Sequence, residues 1–284
     1  MGLYELTERL GRIDALDGLG KTVAGAVARV FPHGPVKDVL SGTWLGHSVH
    51  PMLTDVPIGA WLSAGALDVL GDESTDTASE ILIGVGLVAS LPTMAAGLSD
   101  WSDTIGSERR IGFVHGGSNV VVSLLYASSL WARRRGNRSL GVSLGLIGAG
   151  VTAASAYLGG HLSLAMGVGV DHTAFEHGPM DWTTVMPESD LGDEPRAVDV
   201  EDTTVMLVRR GGTIAALANR CSHLGGPLSE GELGDGTVTC PWHQSTFALV
   251  DGSIVTGPAR APQPAYDVRV EDGGIQIKAR APAH

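Results

Sequence analysis

Two short runs carry donor atoms that could hold a metal: Cys221-Ser222-His223 and, sixteen residues further on, Cys240-Pro241-Trp242-His243. They contain the only two cysteines of the chain, and each cysteine stands close to a histidine, as C-x-H and C-x-x-H. Three readings follow. A structural zinc site uses the same atoms, but usually takes its cysteines from one run and its histidines from another, as C-x2–4-C with H-x3–5-H. Two buried cysteines could also lie beside two ordinary histidines with no metal involved. The third reading gives two thiolates to one iron and two imidazoles to a second, in a cluster that carries one electron. Imidazole is neutral where thiolate is charged, so such a centre accepts an electron readily, at about −150 to +300 mV against about −400 mV for all-cysteine plant-type ferredoxins. One cysteine and one histidine in each run favours this third reading.

The surroundings agree with it. Residues 182–281 resemble the Rieske [2Fe–2S] family over the whole stretch. The first ligand loop reads Cys221-Ser-His-Leu-Gly-Gly-Pro-Leu228 and the second Cys240-Pro-Trp-His-Gln-Ser-Thr-Phe247. A proline-rich run, Gly257-Pro258-Ala-Arg-Ala-Pro-Gln-Pro264, is similar to the family's third loop, which covers the cluster. The resemblance implies Cys221 and Cys240 on one iron, and His223 and His243 on the other, exposed at the tip of a small antiparallel β-sandwich. Short β-branched or alternating runs suit that fold: Thr204–Arg210, Thr213–Leu217, Thr237–Cys240, Ala265–Val270 and Gly274–Lys278, separated by glycine turns.

Departures narrow the type. Quinol-oxidising members of the family join the two ligand loops by a disulfide. The matching positions here hold Gly226 and Trp242, and both cysteines are needed as ligands. In this the domain is similar to Rieske ferredoxins and oxygenase-type domains. Ser245 matches a serine that donates to a cluster sulfide in the high-potential group, whereas Phe247 stands where that group has tyrosine. A donor to sulfur stabilises the reduced cluster, so the resemblance implies an intermediate potential; the other reading of Ser245 is a plain turn residue. Histidine ligation also implies a potential that falls with pH above the oxidised-state histidine pKa.

The elements that precede these loops are of another kind. The chain has 284 residues, 40 glycines and a formal net charge of −12, with a mean hydropathy of +0.15. Its apolar residues gather in the first 170 positions. Four stretches approach the roughly 20 apolar residues a bilayer crossing needs: Met52–Leu70, Ile81–Leu98, Ile111–Trp131 and Leu140–Leu158. Glycine and alanine are frequent in them, as close helix contact in lipid requires. Trp44, Trp101 and Trp131 lie near the ends, as interfacial anchors do. The run Leu45-Gly-His-Ser-Val-His-Pro-Met-Leu-Thr-Asp-Val-Pro-Ile-Gly59, with Tyr157-Leu-Gly-Gly-His161 near the close, resembles a family of bacterial four-helix membrane domains of unassigned function. Leu3, Leu6, Leu10 and Ile13 fall near helical spacing, which predicts an amphipathic helix on the membrane surface or on the bundle. The negative charge argues against a nucleic-acid partner.

The expected plan is therefore an all-α transmembrane four-helix bundle followed by an all-β Rieske sandwich. Residues 1–44 form an amphipathic segment, 45–170 the membrane domain, 171–181 a linker and 182–284 the Rieske domain. Four crossings bring His47, His50, Asp55, Asp100, His115 and His161 to the face from which the Rieske domain leaves. Ionisable residues at membrane depth usually face the bundle interior. They could cap helix ends, as Gly-Gly-His161 and His50-Pro51 suggest. They could instead hold a haem b, with His50 paired to His115 or His161, or a quinone, with His115 beside Asp55. Asp68 reads as an interfacial helix end. The basic loop Arg133–Arg138 favours the cytoplasm, but Lys37, Arg109 and Arg110 on the other face oppose it. Cluster insertion in the cytoplasm favours a cytoplasmic Rieske domain on a bacterial cell membrane. The reading that results is one-electron transfer between a redox partner protein, or the quinone pool, and the membrane. Its alternatives are a quinone-dependent oxidoreductase and a redox-responsive anchor or assembly factor. A complete Rieske oxygenase is not the expectation, because almost nothing follows the Rieske stretch to house a mononuclear iron with two histidines and a carboxylate. Nothing in the sequence sets an oligomeric state.

Overall fold

The computed structural model describes residues 2–280. Its helices are α1 (Leu3–Gly11), α2 (Asp17–Val30), α3 (Pro35–Ser41), α4 (Val49–Leu70), α5 (Asp76–Ser102), α6 (Gly106–Arg134) and α7 (Arg138–Leu164). The chain divides into two compact units, and the division does not follow chain order. Residues up to Phe31 join Val49–Val168, while Pro32–Ser48 join the residues from Gly169 onward.

The first unit is helical. Helices α4 to α7 are each long and apolar enough to cross a membrane. They extend beyond the expected apolar stretches at both ends or at one. The apolar run sets only the part in hydrocarbon, while caps such as Asn137, whose side chain accepts from the Leu140 amide at 3.1 Å, set the boundary. Helices α1 and α2 pack on the bundle. The Gly11 carbonyl and the Asp17 carboxylate both accept from the Arg110 guanidinium, and Leu3, Leu6 and Leu19 are left facing outward.

Three diagonal pairs, each made by α4 and α6, fill the centre of the bundle. His50 meets His115 with ring centroids 6.4 Å apart. Trp61 stacks on Tyr126 at 4.4 Å. Asp68 pairs with Arg133, both side chains 2% exposed. Each pair is separated by sixty-five residues in sequence. The flanking helices repeat as well, at a separation of sixty-two. Gly86 on α5 and Gly148 on α7 lie against the Trp61 and Tyr126 rings, and Thr93 and Ser155 accept from the two histidines. The bundle is thus an internal duplication, α4–α5 and α6–α7, about a pseudo-twofold axis along its length. Spacings of eleven and seven residues put the three layers roughly 16 Å and 10 Å apart at 1.5 Å per residue. The stack therefore spans nearly the roughly 30 Å of a hydrocarbon core. Small residues are needed beside the rings: a Cβ on Gly86 would lie 2.2 Å from the Trp61 ring nitrogen.

Asp68 falls in the last turn of α4, as a helix end should, and it is also half of a buried ion pair. The carboxylate and guanidinium compensate each other across the bundle, which a single-segment reading does not reveal. This pairing also weakens the basic loop as a topology signal, because Arg133 is buried on Asp68 and Arg138 pairs with Asp76 at 2.7 Å. Removing one member of a buried pair leaves an uncompensated charge, at a cost of about 3–5 kcal/mol. Asp68→Ala is accordingly expected to lower the thermal unfolding midpoint of the detergent-solubilised protein sharply, and Asp68→Ala with Arg133→Met to recover most of it. Equal midpoints for wild type and Asp68→Ala would show that the pair does not matter.

The second unit carries two antiparallel sheets. One has six strands in the order β1 (Thr183–Pro187), β10 (Gly274–Ala279), β9 (Ala265–Glu271), β4 (Thr213–Ala218), β3 (Thr203–Arg210) and β2 (Arg196–Val200). The other has four, β5 (Glu232–Leu233), β6 (Thr237–Thr239), β7 (Thr246–Ala248) and β8 (Ile254–Thr256). Met206, Val208, Leu217, Leu228, Val238 and Phe247 bury one core, which includes both cysteines. The residues expected as a linker, 171–181, are bound to this unit: the His172 amide donates to Ser222 O at 3.0 Å and the Ala279 amide to Pro179 O at 2.7 Å.

Candidate functional site

The three loops between the strands meet at one end of the β unit. The first, Cys221–Leu228, follows β4, the second, Cys240–Ser245, joins β6 to β7, and the third, Gly257–Pro264, joins β8 to β9. The first two are built alike. The Cys221 amide donates to Gly226 O at 2.9 Å and the Gly225 amide returns to Cys221 O at 2.8 Å. The Cys240 amide donates to Ser245 O at 2.8 Å and the Gln244 amide returns to Cys240 O at 3.1 Å. In each loop the fourth residue after cysteine is left-handed, Gly225 at φ 79° and Gln244 at φ 60°. Each tight loop turns its next backbone amides toward its own sulfur: those of His223 and Leu224 face Cys221, and those of Trp242 and His243 face Cys240.

The donors meet in two pairs. The two thiols are within hydrogen-bonding reach of each other. The Cys221 thiol and the amides pull Cys240 down to about 7, while its bond to Cys240 and burial hold Cys221 up. The His223 and His243 rings lie 5.1 Å apart, edge to face. Burial, with the Arg260 and Lys37 cations nearby, holds His223 well below the ordinary histidine range and so in the neutral form. His223 is 4% exposed, whereas His243 is partly open and Trp242 beside it is exposed. The sequence reading placed both imidazoles at an open tip; the structure leaves only His243 there. Among the described residues no three His, Cys, Asp or Glu side chains converge on one point. Thiol beside thiol and imidazole beside imidazole, with amides aimed at sulfur, fits a two-iron cluster better than a single ion.

The neighbours named from the sequence also fall here. A Cβ on Gly226 would lie 2.8 Å from Cys240 Sγ and 3.0 Å from the Trp242 ring. The Trp242 indole thus occupies the space between the loops, over a residue that must be glycine. Ser245 is fully buried, and its hydroxyl oxygen accepts from the Ala259 amide at 2.9 Å, which leaves the hydroxyl hydrogen to donate elsewhere. Pro258 is buried in the third loop, after a cis peptide bond.

Sequence reasoning missed three residues. Gln263 is 2% exposed and bridges the loops: its amide nitrogen donates to Ala218 O and Arg220 O, and its oxygen accepts from the Ser222 amide at 3.0 Å. Arg260 donates to Ser41 O, and Lys37 is 2% exposed. Lys37 and Ser41 belong to a strap of residues 32–48. Helix α3 starts at Pro35, with φ preset for a first turn, and ends at Gly42 in left-handed geometry. It grips the third loop through Thr43 Oγ1, which donates to Ala259 O at 3.0 Å, and through Asp38 and Thr43 packed on Gly257. Residues 1–44 are therefore not one segment. The only sequence signal for this was the Pro35 and Gly42 pair of helix limits.

Of the membrane residues named, the structure brings together His50 and His115. Asp55 is exposed. His161 lies against Tyr4 and Tyr157, with Glu8 3.9 Å away.

Fold and donor set define an iron–sulfur electron-transfer domain attached to a helical membrane unit. Residues 181–267 match the model of the Rieske [2Fe–2S] domain, and residues 46–172 that of a predicted membrane protein family, DUF2231. The chain is 40% identical over 86 residues to the 3-phenylpropionate/cinnamic acid dioxygenase ferredoxin subunit of Escherichia coli (strain K12), 30% of this chain and 81% of that one. It is 33% identical over 84 residues to apoptosis-inducing factor 3 of Mus musculus, of which it spans 14%. Among solved structures, the ferredoxin of carbazole 1,9a-dioxygenase from Nocardioides aromaticivorans IC177 shows 30% identity, covering 35% of this chain and 98% of that one, with a TM-score of 0.33. The chain belongs to the Rieske [2Fe–2S] family through its β unit.

Gly226→Ala is expected to displace Cys240 Sγ and to yield protein with far less than wild-type iron, by elemental analysis of the purified full-length chain. Full iron content in a folded Gly226→Ala protein would mean that the sulfur has room this geometry denies it.

Proposed function

We propose that this chain is a membrane-anchored one-electron carrier in which Cys221 and Cys240 bind one iron and His223 and His243 the other. The observation that carries the reading is the pairing of thiol with thiol and imidazole with imidazole at one end of a Rieske sandwich. When bound, a [2Fe–2S] cluster supplies a one-electron couple with histidine-raised potential. The protein's own groups then divide the work. The amides of residues 223, 224, 242 and 243 donate to the two sulfurs. Gln263 and the strap hold the three loops closed. With His223 sealed, the His243 edge beside Trp242 is the shortest path to a partner. Relatives that are ferredoxin subunits of dioxygenases support a redox protein as that partner. The four apolar helices support a multi-pass anchor in a bacterial cell membrane, and cluster assembly favours the Rieske domain on the cytoplasmic side.

The test is electron paramagnetic resonance of the dithionite-reduced full-length protein, with iron and sulfide analysis. A Rieske signal and about two irons and two sulfides per chain are expected. His243→Cys should lower the potential or lose the cluster, and an unchanged signal and potential in that variant would refute the ligand assignment. Reduction by a ferredoxin reductase but not by menaquinol or ubiquinol is the expected pattern; rapid reduction by a quinol alone would instead make the chain a quinol-dependent oxidoreductase.

A further inference from the structure

We propose that His50 and His115 form a second redox site, which takes a haem iron between two axial imidazoles on the axis of the membrane unit, in the layer at the start of α4. The inference uses residues of the helical unit only and does not rest on the iron–sulfur reading.

The two rings meet from diagonal helices, α4 and α6, with centroids 6.4 Å apart. A metal roughly 2 Å from each ring nitrogen places imidazole centroids roughly 6 Å apart on opposite sides of it. Both rings are oriented in the way ligand histidines are. His50 Nδ1 lies 2.9 Å from Thr93 O and His115 Nδ1 lies 2.9 Å from Ser155 O. A carbonyl can only accept, so each Nδ1 carries its hydrogen and each Nε2 presents a lone pair. A backbone acceptor behind the ring is also the usual outer support of a metal-bound histidine.

The neighbouring helices approach both rings closely, at glycines. A Cβ on Gly97 would lie 2.6 Å from His50 Cε1, and one on Gly159 3.0 Å from His115 Cε1. These glycines, like Thr93 and Ser155, are partners in the repeat of α5 by α7. The duplication therefore reproduces the whole assembly: histidine, carbonyl acceptor and glycine. Two equivalent ligands facing each other across a pseudo-twofold axis suit a metal group with equivalent faces. In the two layers below, the equivalent positions have diverged, to tryptophan against tyrosine and aspartate against arginine. The histidine layer has kept the same residue twice.

Simple helix capping does not account for this. His115 is ten residues into α6, away from its end, and its ring points across the bundle. One existing contact must yield: Asn119 Nδ2 lies 3.1 Å from His115 Nε2. An iron there displaces that amide, which keeps Ser155 Oγ as a donor to its oxygen at 2.9 Å. Both cysteines lie in the other unit, so the haem would be held without a thioether bond, as a b-type haem.

The experiment is to express the full-length chain in cells supplied with a haem precursor, purify it in detergent, and record oxidised and dithionite-reduced optical spectra with haem quantification. Wild type is expected to carry about one haem per chain, with low-spin bis-histidine bands. His50→Ala and His115→Ala should each lose it at least tenfold, while His161→Ala keeps it. Cys240→Ser, which removes a proposed iron–sulfur ligand, should also keep it, so that failure of one site is read separately from failure of the other. Three results overturn the proposal: no haem in wild type even after titration with haemin, haem retained in the His50→Ala/His115→Ala double variant, or a co-purified quinone in place of haem. If His50→Ala does not fold, His50→Met provides the arm instead: bound haem with an altered spectrum supports the site, and an unchanged spectrum overturns it.

Discussion

Two buried thiols brought side by side are the constraint on which the β unit depends. Left alone, such a pair resists losing its second proton, because two thiolates repel in a poorly solvated place. The fold supplies what offsets this. Each cysteine sits at the start of a loop so tight that its own following amides point at the sulfur. Closing such loops requires left-handed backbone at Gly225 and Gln244. Bringing the two loops together requires a residue without a side chain at 226, so that the Trp242 indole can lie between them. The third loop then has to be fixed in place, by its own Gln263, which bonds Ala218, Arg220 and Ser222, and by the strap of residues 32–48.

The membrane unit solves a different problem with repetition. Helices in lipid gain little from apolar contact alone, so the bundle is specified by what lies on its axis. An imidazole pair, an aromatic stack and an ion pair give three layers of different chemistry. Each layer requires small residues on the flanking helices. Since the layers differ in size and charge and lie seven and eleven residues apart, a helix shifted by two turns would set aspartate against tyrosine, and one shifted by three turns histidine against tryptophan. The register of the bundle is thus fixed by pairs that no continuous apolar stripe could provide.

Much of this was legible in the chain. The donor spacing singled out two loops that the fold brings together, hydropathy located all four long helices, and β-branched runs gave β3, β4, β6, β9 and β10 close to their limits. The strands not seen, β1, β2, β5, β7 and β8, are five residues or fewer and carry no alternating pattern of their own; partners from distant positions create them. The ion pair of Asp68 went unforeseen because its compensating charge lies sixty-five residues away. The same interval separates His50 from His115 and Trp61 from Tyr126, and a search for weak internal similarity would have shown it. The role of Lys37, Arg260 and Gln263 depends on contacts between segments that share no local signal.

The strap has a consequence for how the protein is made. The cluster-binding unit is sewn from two stretches of chain, and the whole helical bundle is synthesised between them. When residues 32–48 leave the ribosome, the loop they will grip does not yet exist. It follows some two hundred residues later, after α4 to α7 have been translated. The unit can close only if both stretches finish on the same side of the bilayer, which an even number of crossings secures. An error in helix insertion would therefore surface as a failure to load iron, so that assembly of the cluster domain reports on the correct threading of the membrane.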